Sequence, residues 1–146
     1  MGELTELDEA KCRELLGACV VGRIALVTPE GPYVVPVNYV VVEDAVVVRT
    51  SPESVLGRQA PGTVVAVQVD RVDHEDHRGW SVLAVGPCEL VDDVAALEAA
   101  TPYWNPRPWV SGDRATYLRV AWTRLSGRRV GGGWTYENEV PVRARS

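Results

Sequence analysis

No phenylalanine occurs among the 146 residues, and lysine and methionine occur once each, at Lys11 and Met1. Aromatic packing therefore falls to tryptophan and tyrosine. Basic charge is almost all arginine, and the net charge is -5. That balance excludes a general nucleic-acid binder, which needs clustered cations to neutralise phosphates. Cys12, Cys19 and Cys88 form an odd set without C-x-x-C spacing. They argue against a disulfide framework or a zinc site, and for reduced, buried thiols in a cytoplasmic protein. The two histidines, His74 and His77, sit in the polar run DHEDH. That run has neither the flanking helix nor the further ligands of a zinc site and reads as a solvated acidic loop, so no metal is expected. No apolar run is long enough to span a bilayer. The acidic start MGELTELDEAK lacks the features of a signal peptide.

Valine is abundant, and β-branched runs favour strands. A helix is predicted over Asp8–Ala18, with Asp8 as N-cap and Leu7 as staple. Strands are predicted over Val20–Thr28, Tyr33–Val42 and Ala45–Thr50, with turns at Pro29–Gly31 and Glu43–Asp44. Pro36 is compatible with the second strand only at an edge or a bulge. Ser51–Ser54 opens a short helix that reaches Ala60. Thr63–Asp70 alternates as a strand, Arg71–Gly79 reads as a loop, and Trp80–Val91 reads as a strand interrupted near Gly86-Pro87. A helix over Val94–Thr101 precedes Pro102–Ala115, which is rich in proline and tryptophan and has no periodicity. Thr116–Ser126 is read as the last long strand. The pattern implies a mainly antiparallel sheet closed into a small β-barrel with short peripheral helices. Residues 1–130 are assigned to this single domain and 131–146 to a loosely held C-terminal tail.

The run GPYVVPVNYVVVEDAVVVRTSPESVLGRQA, from Gly31 to Ala60, is the most informative feature. Two strands lead into a polar helix start, where hydroxyls and backbone N–H groups can face an anion. With Gly22-Arg23, Pro36-Val37-Asn38-Tyr39, Arg49-Thr50 and Ser54, Gly79 to Leu83, Pro108-Trp109 and Leu125 to Arg129, it resembles the FMN-binding split-barrel family. That family includes pyridoxamine 5'-phosphate oxidases and small members related to nitroimidazole-resistance proteins. The resemblance spans Leu7 to Val130.

The resemblance implies a six-stranded antiparallel split β-barrel forming a homodimer, with FMN at the dimer interface. It implies that the backbone of Val37, Asn38 and Tyr39 lies along the flavin ring. Arg49, Thr50, Ser51 and Ser54 would lie near the ribityl chain and phosphate, and Trp80 and Ser81 would flank the site, from the partner subunit in one arrangement. Family members usually carry basic residues directly after the serine equivalent to Ser54, whereas this chain has Val55 and Leu56. Arg49 and Arg58 are the candidates to compensate. The functional reading is an oxidoreductase acting on a small organic substrate. The alternatives are a deazaflavin-dependent reductase and a non-catalytic cofactor-binding module.

Each candidate residue also has a plainer role. Thr50, Ser51 and Ser54 suit ordinary helix capping. Arg49 and Arg58 suit solvated surface positions, and Asn38 suits a bond to neighbouring backbone. Tyr39 suits core filling, as do Trp80, Trp104 and Trp109, which are otherwise candidates to roof a flat cofactor. No side chain stands out as a general acid or base, so no catalytic residue is assigned.

Overall fold

The computed structural model describes residues 3–102 and 116–140. The strands are β1 (Leu4–Glu6), β2 (Val21–Thr28), β3 (Gly31–Val42), β4 (Ala45–Thr50), β5 (Val64–Asp73), β6 (Arg78–Leu90), β7 (Thr116–Ala121) and β8 (Arg124–Val130). The helices are α1 (Glu9–Ala18), α2 (Val55–Gln59), α3 (Val94–Ala100) and α4 (Tyr136–Glu139). Every strand pairing is antiparallel. In the order β6-β5-β2-β3-β4-β7 the strands close into a six-stranded barrel, because β7 pairs again with β6. Strands β8 and β1 extend the sheet beyond β6.

Alternation along each strand builds the interior. Ile24, Leu26, Val37, Tyr39, Val67, Val69, Trp80 and Val82 point inward and are buried. Helix α1 adds Cys12, Leu15 and Leu16 to this core. Asp8 caps it as expected, accepting from the Lys11 N–H at 2.8 Å. Helix α1 comes close to β8 because Gly127 has no side chain; a Cβ there would meet the Cys12 Sγ at 2.8 Å. Arg13 ties α1 to the β3–β4 turn by pairing with Asp44 and donating to the Glu43 carbonyl.

Four expectations change. The polar run 71–79 is a hairpin, with Arg71 opposite Trp80 and Asp73 opposite Arg78. The Asp73 carboxylate accepts the N–H groups of Glu75 and Asp76, and Arg78 bridges Asp73 and Asp76. A side chain thereby closes a turn that polarity alone reads as loop. Gly86-Pro87 does not interrupt β6. One edge of β6 pairs with β8 over Gly79–Val85 and with β7 over Cys88–Leu90, so this dipeptide marks a change of partner. The strand expected over 116–126 is two strands, turning at Trp122-Thr123. Trp122 packs on the core there, and the Arg13 guanidinium lies 5.5 Å from its ring centre. Lastly, residues 131–140 are not loosely held. Helix α4 has a capping box of Thr135 and Asn138, and Glu139 and Val140 are buried. Trp104, Trp109 and the Pro108-Trp109 match lie outside the described residues.

Candidate functional site: the fork between β3 and β4

Strand β3 changes partner along its length. It pairs with β2 over Gly31–Asn38 and with β4 over Tyr39–Val42. The β3–β4 register ends at Tyr39 opposite Val48. Beyond it β4 continues against β7, as far as Thr50 opposite Thr116. Among the described residues, β3 and β4 therefore part as a fork, with Val37 and Asn38 on one arm and Arg49, Thr50 and Ser51 on the other.

The sequence suits this opening. Tyr39 donates its N–H to the Val20 carbonyl at 3.0 Å. By antiparallel alternation, odd positions before it bond to β2 and even positions turn toward the fork. Pro32 and Pro36 occupy even positions, where a missing N–H breaks no ladder bond. Pro36 thus sits at an edge, as its type requires.

The other arm ends in a bonded turn. The Ser54 Oγ accepts from the Gly57 N–H at 2.9 Å and lies 2.8 Å from the Thr50 Oγ1 and 2.7 Å from the Ser51 carbonyl oxygen. Ser51 donates its hydroxyl to the Glu53 carboxylate at 2.7 Å, and Arg58 donates Nε–H to the Glu53 carbonyl at 3.1 Å. Gly57 is essential to this geometry, since a Cβ there would stand 2.2 Å from the Ser51 carbonyl oxygen.

Eight of the ten predicted site residues therefore meet around one opening: Val37, Asn38, Tyr39, Arg49, Thr50, Ser51, Ser54 and Arg58. Arg49 is half-buried and Arg58 exposed. The Tyr39 ring points into the core beside Gly22, and its hydroxyl donates to the Leu16 carbonyl. Trp80 and Ser81 lie elsewhere, on β6, which β5 and β2 separate from β3. The Trp80 indole is buried and donates to the Glu139 carbonyl at 2.8 Å.

Burial sets the chemistry of the titrating groups. It pushes the Cys19 and Cys88 thiols up to about 11 and raises Cys12 as well. These thiols are weak nucleophiles at neutral pH. Burial also holds the Tyr39 phenol well above its ordinary value. His74 and His77 are exposed on the β5–β6 turn. Backbone hydrogen bonding from Asp76, with Arg78 close by, keeps the Asp73 carboxyl below the usual carboxylate range.

The end of the β3–β4 pairing suits a planar ring with donors and acceptors on its rim, because a strand edge presents backbone donors and acceptors there. The turn suits a terminal phosphomonoester less well. Its hydroxyls already have partners, Glu53 brings negative charge, and Val55 and Leu56 bring no positive charge. A dianionic phosphate there would require Ser51 to leave Glu53.

A closed antiparallel barrel that splits beside a capped polar turn defines the split-barrel class of cofactor-type folds. Residues 8–129 match the pyridoxamine 5'-phosphate oxidase family, and the chain belongs to it. The uncharacterized protein Rv0080 of Mycobacterium tuberculosis is 31% identical over 134 residues, covering 88% of this chain and 86% of that protein. The structure of the FAD binding protein from Mycobacterium smegmatis is 29% identical, with a TM-score of 0.73, covering 88% of this chain and 98% of that one. A FAD-binding protein from Mesorhizobium loti shares the fold at a TM-score of 0.67, with 22% identity over 90% of this chain and 100% of that one.

The sequence reading missed the cluster of Lys11 and Arg129 on the Glu139 carboxylate and Arg71 on the Val140 carbonyl. Only the spacing of Thr135 and Asn138, a capping pattern, signalled α4.

Proposed function

We propose that this protein binds a flavin nucleotide at the β3–β4 fork and is an oxidoreductase acting on a small organic molecule. The observation that carries this reading is the end of the β3–β4 register at the Tyr39–Val48 pair, which brings Val37–Tyr39 beside the Thr50–Ser54 turn. The likeness to a FAD binding protein supports the same ligand class. The flavin would supply the electron or hydride transfer. The chain's own part is to align the ring along Val37–Tyr39, exclude water with valine side chains and hold the tail near Arg49 and Arg58.

FMN is the ligand that the family resemblance implies. FAD is a second reading, favoured by the turn itself. FAD has no terminal dianionic phosphate, which relieves the conflict with Glu53 and the missing cations at 55 and 56.

A homodimer is part of the proposal. The outer face of the sheet carries an apolar row, Val34–Ala25–Ala66–Val85, with each residue opposite the next. Beside it Val27 and Val64 are 76% and 65% exposed. Such a face marks an interaction surface, and a two-fold pairs it with itself. Its β3 edge borders the fork, so a second copy would complete the site, with Ser81 on the outer face of β6 as its further contribution, while the buried Trp80 faces the core.

The test is the visible absorbance of gently purified protein, followed by chromatography of the released ligand. Stoichiometric FMN or FAD decides between the two readings. Protein that stays colourless after incubation with either flavin overturns flavin binding and moves the assignment to a deazaflavin coenzyme or a cofactor-free barrel. Oxidation of a reduced nicotinamide with a dye acceptor separates an enzyme from a binding module.

A further inference from the structure

One end of the barrel carries a convergent set of donors from four different elements. Lys11 comes from α1, Arg71 from β5, Trp80 from β6 and Arg129 from β8. All four meet two consecutive residues of the C-terminal strap. Each oxygen of the Glu139 carboxylate takes one cation: the Lys11 Nζ at 2.8 Å on Oε1 and an Arg129 nitrogen at 2.9 Å on Oε2. The Glu139 carbonyl accepts the Trp80 indole N–H at 2.8 Å, and the Val140 carbonyl accepts from Arg71 at 3.0 Å. The Glu139 side chain is only 6% exposed.

The two sides of this contact differ in rigidity. Every donor stands on a strand or on the capped helix α1, placed by pairings that do not involve the strap. Every acceptor lies at the end of α4, a four-residue helix. Removing the strap would leave the donors in position: Arg129 would lose the Glu139 carboxylate, and Lys11 would keep only Glu14, 3.5 Å away on its own helix. That state favours any anion that can enter. The arrangement is a receptor for a carboxylate, one cation per oxygen, filled by the chain's own Glu139.

We infer that the Lys11–Arg71–Trp80–Arg129 end of the barrel is a carboxylate-binding site that the C-terminal strap occupies as an internal ligand. An organic acid presenting one carboxylate to Lys11 and Arg129 binds there by displacing residues 134–140. The tethered Glu139 has a high effective concentration, so it keeps weak or dilute acids out. This site is separate from the β3–β4 fork, and the inference does not depend on the flavin.

Chemical rescue tests it in the full chain. Glu139→Ala removes the internal carboxylate and leaves its volume and its cations. Formate, titrated against chloride at equal ionic strength, is expected to raise the melting temperature of Glu139→Ala saturably and leave the wild-type protein unmoved. The double variant Glu139→Ala/Arg129→Ala is expected to lose the response. If Glu139→Ala is insoluble in chloride, a gain in soluble yield on refolding in formate supports the site, and equal insolubility in both salts overturns it. Equal formate responses in wild type and Glu139→Ala, or a rescue that survives loss of Arg129, also overturn it.

Discussion

Ser54 and Gly57 form the tightest unit around the fork, and their roles differ. Ser54→Ala removes the acceptor for the Gly57 N–H and a neighbour of Thr50. It is expected to cost about 0.5–2 kcal/mol in denaturant unfolding. Gly57→Ala is expected to cost about 1–3 kcal/mol and to weaken flavin retention more, because the turn must open to admit a Cβ now 2.2 Å from the Ser51 carbonyl oxygen. Equal flavin retention in wild type and Gly57→Ala would separate the turn from the ligand site. Lys11, the single lysine, offers a clean titration. Its hydrogen bond to Glu139 favours the ammonium form and raises the folded value above 10.5. A raised folded pKa stabilises fully below the unfolded value, and that stability is lost as pH rises through the folded one. In Glu139→Gln the Lys11 side-chain signal, followed by nuclear magnetic resonance, is expected to titrate closer to 10.5. An unchanged midpoint would show that Glu139 does not set it.

The elements explain which glycines matter. Gly86 lies where β6 exchanges β8 for β7, and a Cβ there would stand 2.1 Å from the Ala121 carbonyl oxygen. Gly17 lies in α1 with open space around it. Gly86→Ala is therefore expected to lower the melting temperature by several degrees. Gly17→Ala is expected to raise stability by about 0.5–1 kcal/mol through helix propensity alone. A thermal-denaturation pair that reverses this order would refute the assignment of Gly86 to a close strand crossing. The same contrast shows what was legible in the chain. Strands β2, β3 and β4 and helix α1 were readable because alternation, turn residues and the Asp8 cap are local signals. The Gly86-Pro87 partner change and the Trp122 corner were not, because each depends on a neighbour distant in sequence, and the 71–79 hairpin was not, because its turn is closed by the Asp73 side chain inside a run whose polarity reads as loop. Strand β1 is exposed throughout and exists only through pairing with β8, so no apolar pattern marks it.

At the scale of the whole molecule, the proposed homodimer rests on the apolar row on the outer sheet. Val34 is 59% exposed at the β3 end of that row, on the strand that forms one arm of the fork. Val34→Glu places charge where two copies would meet. It is expected to convert a dimer to monomers in sedimentation velocity, and to reduce flavin retention together with dimer content while leaving the fold intact. A wild-type protein that sediments as a monomer, or a Val34→Glu dimer, would remove the interfacial site from the proposal.

The sequence by itself determined the strand-rich class and the polar turn at Thr50–Ser54, since propensity, capping and period-two alternation act between near neighbours. The tertiary structure alone decided where β3 parts from β4, which side of the barrel receives Trp80, and that Glu139 closes one end. Those outcomes follow from barrel closure, which brings together residues as far apart as Lys11 and Glu139, and closure chooses partners by space and charge that no local pattern encodes.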